Sequence, residues 1–259
     1  MSSRWWLMGR TGVLFMMVGA LLQSPATAFL THPAQRTQPA ATRSRVGGAA
    51  ARRRGVIRCV AASPGNGGQA PRLFVFGLGY TGLEFAQQAR QRLGAEVFGT
   101  CRSEGKAEAL QAVGITAFPW DIDDGYQPLE GEALEALESA THLLSTMSPF
   151  ADFSKDPVLV LHGKEVLQRC TNLQWAGYLS TTSVYGDHSG AWVDEESETR
   201  VTDRDPSAMA RLAAEGEWLA LAPHIPVHVF RLAGIYGPFR SALDTARRTP
   251  PPPPPPPPP

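Results

Sequence analysis

The stretch Arg72-Leu-Phe-Val-Phe-Gly77-Leu78-Gly79-Tyr80-Thr81-Gly82 decides how this chain is read. A short apolar run, Leu73 to Phe76, breaks off in glycines, and an apolar-periodic segment follows from Leu83 to Leu93. That pattern predicts a buried strand, a tight turn and the start of a helix. Gly77 permits the turn, Gly79 leaves the backbone bare enough for a pyrophosphate to approach, and Gly82 lets the helix lie close to the strand. The N–H groups of the first helical turn, around Tyr80 and Thr81, face outward, and the helix dipole favours an anion there. A glycine turn of this spacing also occurs as a plain strand-to-helix connection. The strand before it and the helix after it are the context that a dinucleotide site requires.

Downstream, Ala95 to Gly99 predicts a second strand ending in Thr100-Cys101-Arg102. In the NAD form of such a unit an acid about 20 residues past the glycines binds the ribose 2′-hydroxyl. Arg102 stands twenty residues after Gly82 with no acid beside it. A cation there suits a 2′-phosphate, so the expected cofactor is NADP rather than NAD; the other reading is a solvated arginine at a strand end. Ser103 is placed to cap a helix through Ala112. Ile115 to Phe118 predicts a third strand, after which Asp121 is either an acceptor for an adenine amino group or a turn residue. Leu129 to Leu137 reads as a helix and Thr141 to Met147 as a fourth strand, with Ser145 and Thr146 leaving it as a loop beneath a cofactor would. Asp156-Pro157 is an N-cap followed by proline at the first helical position, and the helix runs to about Cys170. Trp175 to Leu179 is a fifth strand leading into Ser180-Thr181-Thr-Ser-Val-Tyr185-Gly186. The loop acids Asp194-Glu195-Glu196 read as a solvated surface rather than a cation site. Asp205-Pro206 opens a helix to Leu221, and Val227 to Leu232 is a sixth strand.

Six strands alternating with helices predict an α/β fold, a doubly wound parallel sheet of the Rossmann type with helices on both faces. Right-handed crossovers lead to strand order 3-2-1-4-5-6, with a ligand at the carboxyl ends of strands one and four.

The charges are segregated. Residues 1–72 hold ten arginines and no acid, the first acid being Glu84. Removing those ten from the 24 basic residues leaves 14 against 24 acids, a formal charge of about −10 on the remainder. That balance argues against nucleic-acid binding through a basic surface. The three cysteines have neither CxxC nor Cys/His spacing, so no metal site and no disulfide framework is expected. Arg4 and Arg10 precede an apolar run, Val13 to Leu22, too short for a comfortable membrane span, and Ala26-Thr27-Ala28 resembles a cleavage site. Thr31 to Arg58 is rich in Arg, Ala, Ser and Thr, the composition of a transit segment. Together with Phe29 this resembles the two-part plastid presequences of algae with secondary plastids. A secreted protein with a basic stretch and a misplaced gene start are the alternatives. The expected organisation is a presequence and linker over 1–71, a nucleotide-binding domain over 72–249 and a polyproline tail over 250–259. No membrane association is expected of the mature protein, and the sequence leaves its oligomeric state open.

Three motifs in order carry a family resemblance: Gly77-Leu-Gly79-Tyr-Thr-Gly82, Ser180-Thr181-Thr-Ser-Val-Tyr185-Gly186 and Arg231-Leu-Ala-Gly234-Ile235-Tyr236-Gly237-Pro238. The chain from Arg72 to about Asp244 resembles the short-chain dehydrogenase/reductase superfamily, in an atypical subgroup of its extended, NAD-dependent epimerase/dehydratase-like branch. The resemblance implies an oxidoreductase or epimerase acting on a nucleotide-sugar or another small metabolite. It implies a catalytic hydroxyl at Thr181, a phosphate loop at Gly77, Gly79 and Gly82, and a nicotinamide-side loop at Gly234 to Tyr236. The departure lies in the next helix. Where typical members carry a Tyr-x-x-x-Lys pair, this chain has Ser207 and Arg211. Arg211 remains a donor for a ribose or phosphate, and Tyr185 or His188 is a substitute acid, against the alternative that Tyr185 packs. The chain also passes into Pro250–Pro259 where extended members add a small substrate domain; this run reads as disorder or a truncated gene model rather than as an SH3- or WW-type ligand. The competing functions are therefore an NADP-dependent enzyme, a catalytically silent dinucleotide-binding scaffold or redox sensor, and a non-functional truncated product.

Overall fold

The computed structural model describes residues 70–122, 127–150, 155–241 and 244. The presequence, the linker and the polyproline segment lie outside the described residues.

The elements alternate as expected. They are β1 (Arg72–Phe76), α1 (Tyr80–Leu93), β2 (Glu96–Cys101), α2 (Glu104–Gln111), β3 (Thr116–Pro119), α3 (Gly131–Glu138), β4 (His142–Ser145), α4 (Pro157–Gln168), β5 (Trp175–Thr181), a 3-10 turn (Thr182–Tyr185), α5 (Pro206–Leu219) and β6 (Val227–Leu232). All five strand pairings are parallel and the order is β3-β2-β1-β4-β5-β6. The order reverses between β1 and β4, where Phe76 pairs with Ser145. That switch opens a crevice at the strand carboxyl ends.

Strand alternation sorts the core into two layers. Leu73, Val75, Val97 and Leu144 face α1 and α2, where Phe85, Ala89 and Leu110 meet them. Phe74, Phe76, Leu143 and Tyr178 face α3, α4 and α5, where Leu137, Val158, Val166 and Trp218 pack. Both faces of the sheet are covered, which is why the strands read as continuous apolar runs.

The helix starts follow local chemistry. Asp156 accepts from Leu159 N at 3.0 Å and Asp205 from Ala208 N at 2.9 Å, each before a proline at the first helical position. Ser103 sits at the N-cap position of α2, but its side chain makes no capping bond. That departs from the expectation; Glu104, in the first turn, still complements the helix dipole. The fourth strand is shorter than expected, since Thr146 and Met147 belong to the loop that follows it.

Candidate dinucleotide site

The glycine turn between β1 and α1 is built from both sides. Gly77 lies at φ +90°, a conformation that side-chain-bearing residues rarely adopt. Its N–H donates to the buried Thr100 hydroxyl at 2.9 Å, and Leu78 N donates to Thr100 O at 2.7 Å. From the other side, the Thr146 hydroxyl reaches Gly77 O at 2.8 Å and Phe76 O at 3.1 Å. Strands β2 and β4 therefore fix the turn between them.

The three glycines divide the work. A Cβ on Gly82 would lie 2.2 Å from Gly77 O, so only glycine lets α1 start this close to the turn. A Cβ on Gly79 would meet nothing within 4 Å. The backbone there is bare and faces open space. The first bond of the helix runs from Leu83 N to Gly79 O at 3.0 Å, which leaves the N–H groups of Tyr80, Thr81 and Gly82 ahead of it without helical partners. The result is an open cradle of N–H donors on the positive end of a 14-residue helix, which fits a pyrophosphate.

Arg102 follows β2 directly, is exposed and forms no ion pair among the described residues. Asp121 follows β3 and is half-buried. Gly234 and Ile235 lie in the loop after β6, where the Tyr236 ring folds back to 3.1 Å from the position of a Cβ on Gly234. These residues, with Gly77, Gly79 and Gly82, line up along the carboxyl edge of the sheet.

Several site residues behave differently from expectation. The Leu78 side chain is fully buried in the core and its N–H is taken by Thr100, so it holds the turn rather than facing a ligand. Thr146 spends its hydroxyl on the turn carbonyls. Ser145 is fully buried, and alternation sets it on the Leu143 face, so its hydroxyl does not reach the open edge. Arg211, expected to donate to a ribose, is a bracket. Its Nη1 donates to Met147 O (2.9 Å), Leu179 O (3.0 Å) and the Tyr178 hydroxyl (3.1 Å), and its Nη2 to Ser148 Oγ (2.7 Å). It ties the loop after β4 to β5. Ser207 is exposed in the first turn of α5. Tyr185 is buried, with the Arg231 guanidinium 4.7 Å above its ring. His188 is half-buried and its Nε2 lies 3.0 Å from Glu198 O.

Thr181, at the end of β5, is half-buried, accepts from Ser183 N at 3.2 Å and lies 3.1 Å from Ser183 Oγ. Ser183 in turn lines a cleft of about 600 Å³ with Gly186, Asp187, Arg200, Asp203 and Arg204. The cleft is open, and its wall is formed by the loop between β5 and α5 together with the first turn of α5.

Beneath Thr181 lies a group that sequence reasoning missed. Glu215 of α5 is 3% exposed, accepts from Ser180 Oγ at 2.5 Å and pairs bidentately with Arg231 of β6 at 2.7 to 3.1 Å. Burial is compensated here by four hydrogen bonds to one carboxylate. Its partner lies sixteen residues further along the chain on a different element, so no local sequence signal marks the pair.

The chain matches no family model. It is 27% identical over 175 residues to the Escherichia coli (strain K12) protein YeeZ, covering 65% of this chain and 60% of that one. A conserved protein of unknown function from Silicibacter pomeroyi is similar in structure at 40% identity and TM-score 0.54, over 65% of this chain and 55% of that one. A reductase studied by structure-guided engineering shares the fold at 17% identity and TM-score 0.51, over 65% of this chain and 60% of that one. The chain thus spans between half and two thirds of the length of these relatives. Its six-stranded parallel sheet, strand order and motif series agree with the extended short-chain dehydrogenase/reductase type that the sequence resembles.

Proposed function

We propose that the chain binds NADP in the glycine cradle and serves as an oxidoreductase or epimerase-like protein of the extended short-chain dehydrogenase type. The observation that supports this most is the bare, open backbone at Gly79 beside the free N–H groups of α1. In this reading the pyrophosphate rests on the N–H groups of Gly79 to Gly82. Arg102 pairs with the 2′-phosphate, Asp121 accepts from the adenine amino group, and Gly234 and Ile235 border the nicotinamide. The bound nicotinamide supplies or accepts the hydride. The chain's own part is to orient a substrate carbonyl or hydroxyl through Thr181, with Ser183 and the adjoining cleft holding the rest of a nucleotide-sugar or another small metabolite.

A second reading, a dinucleotide-binding scaffold or redox sensor without turnover, is supported by three specific observations. Ser207 is not an acid of useful pKa, Arg211 is committed to protein acceptors, and Tyr185 is buried under Arg231. No side chain in the usual place is free to deliver the proton that accompanies hydride transfer. Incubating the purified chain with NADPH and a panel of carbonyl and nucleotide-sugar substrates separates the two. Saturable binding with turnover supports the enzyme, binding without turnover the scaffold, and no binding contradicts both.

The N-terminal composition supports a plastid destination. A reporter fused behind residues 1–70 should reach the plastid in a secondary-plastid alga, and secretion of the intact fusion would contradict it.

A further inference from the structure

The loop after β6 returns to the glycine turn. Gly237 and Arg240 exchange both backbone hydrogen bonds, each 3.0 Å, so Gly237-Pro238-Phe239-Arg240 is a closed four-residue turn. Phe239 lies at φ +59°, a left-handed conformation that glycine takes freely and phenylalanine does not. Strain of this kind persists where the surrounding structure holds it, often at a ligand clamp. Here the turn delivers two groups to one residue. The Tyr80 hydroxyl donates to Pro238 O at 3.3 Å, and the Arg240 guanidinium lies 5.5 Å above the Tyr80 ring. Tyr80 is the first residue of α1, and its own N–H is one of the free donors of the cradle.

We infer that Arg240 is a diphosphate-binding residue of the dinucleotide site, seated on the Tyr80 ring and swung onto the pyrophosphate when the cofactor binds. This rests on the reading of the glycine cradle given above. Arg240 is exposed and has no ion pair among the described residues, so its charge is uncommitted. A guanidinium matches phosphate oxygens in a fork, and stacking on an aromatic ring limits the rotamers it must give up. The backbone cradle supplies only partial positive charge, whereas a diphosphate carries two full negative charges. A cation held at the mouth of the cradle completes the balance. The same contact makes the loop after β6 a strap across the cofactor, joining its diphosphate and nicotinamide ends.

The test is equilibrium titration of the full chain with NADPH and with NADH, comparing wild type, Arg240→Gln and Arg240→Lys. A solvent-accessible charge-assisted contact predicts that Arg240→Gln raises both dissociation constants by the same factor, about 10-fold, and that Arg240→Lys recovers part of the loss. Tyr80→Phe, which keeps the seat and removes only the Pro238 bond, should cost about 2-fold or less, the scale of one weak exposed hydrogen bond. Unchanged affinity in Arg240→Gln overturns the assignment while leaving the dinucleotide site standing. A loss confined to NADPH also overturns it, because Arg240 would then touch the 2′-phosphate. A wild-type chain that binds neither nucleotide contradicts the cradle itself and this inference with it.

Discussion

Glu215 and Arg231 meet beneath the carboxyl ends of β5 and β6, in a bidentate pair with 3% and 13% of their side chains exposed. The pair holds Ser180 from one side and sets Arg231 over Tyr185 on the other. The residue that carries the proposed substrate hydroxyl, Thr181, is therefore fixed by an ion pair that joins α5 to β6. Removing one partner leaves a buried charge uncompensated. Glu215→Ala should destabilise the fold by about 3 to 5 kcal/mol, read as a lower urea midpoint with unchanged slope. Replacing both residues by apolar ones of similar volume, Glu215→Leu with Arg231→Met, should recover most of that loss. A single variant as stable as wild type would show that the pair contributes nothing.

Asp156 gives the fold a pH dependence. Its side chain is fully buried; Oδ1 caps α4, while Oδ2 and the Trp218 indole N–H lie close without meeting hydrogen-bond geometry. Burial pushes its carboxyl up to about 6, against the smaller opposing effects of the cap and of Arg211. A raised acid pKa stabilises the protonated fold, so this contribution is complete below the ordinary carboxylate value and is lost as pH rises through about 6. The loss is on the order of 3 kcal/mol between pH 4 and pH 7. His162 acts in the opposite sense, since burial pulls it down to about 4 and its contribution is lost as pH falls from its ordinary value towards 4. Comparing Asp156→Asn with wild type across that range removes the histidine from the difference. The variant keeps the cap acceptor and should lack the fall in stability that Asp156 causes. Identical pH profiles would contradict the assignment.

Arg211 is expected to matter for structure before chemistry. Lysine cannot span Met147 O, Leu179 O, the Tyr178 hydroxyl and Ser148 Oγ together. Arg211→Lys should cost about 1 to 3 kcal/mol, with faster amide exchange at Met147 and Ser148. A neutral substitution would mean that the bracket is dispensable and the position is open for the lysine that the resemblance implies.

Cofactor choice should follow Arg102. Because that residue is exposed, its pairing with a 2′-phosphate is worth roughly one to two kcal/mol, about 10-fold in affinity. Arg102→Asp should weaken NADPH and improve NADH, measured by titration with each. Equal losses for both would make Arg102 a structural residue.

Much of this was legible in the chain. Strand-turn-helix punctuation placed all six strands, and right-handed crossovers left the order that the sheet adopts. The Asp-Pro pairs at Asp156 and Asp205 announced two caps because the chemistry of a cap is local. The turn at Gly77 and the close helix approach at Gly82 were readable for the same reason. What sequence could not reveal is non-local. Thr146 and Ser145 are neighbours of similar polarity, yet one braces the glycine turn and the other is buried on the opposite face, a difference set by strand register. The Glu215–Arg231 pair was not legible because it joins a helix to a strand sixteen residues later in the chain. Tyr185 looked like a candidate acid because nothing in its motif shows that Arg231 covers it.

The central claim is that the open backbone at Gly79 receives a dinucleotide. The direct measurement is titration of wild type and Gly79→Val with NADPH, alongside thermal unfolding of both. A Cβ at Gly79 meets no protein atom within 4 Å, so folding should be unaffected while the pyrophosphate is excluded. The account predicts saturable binding by wild type and none by Gly79→Val at unchanged melting temperature. A folded Gly79→Val chain that titrates like wild type would contradict it.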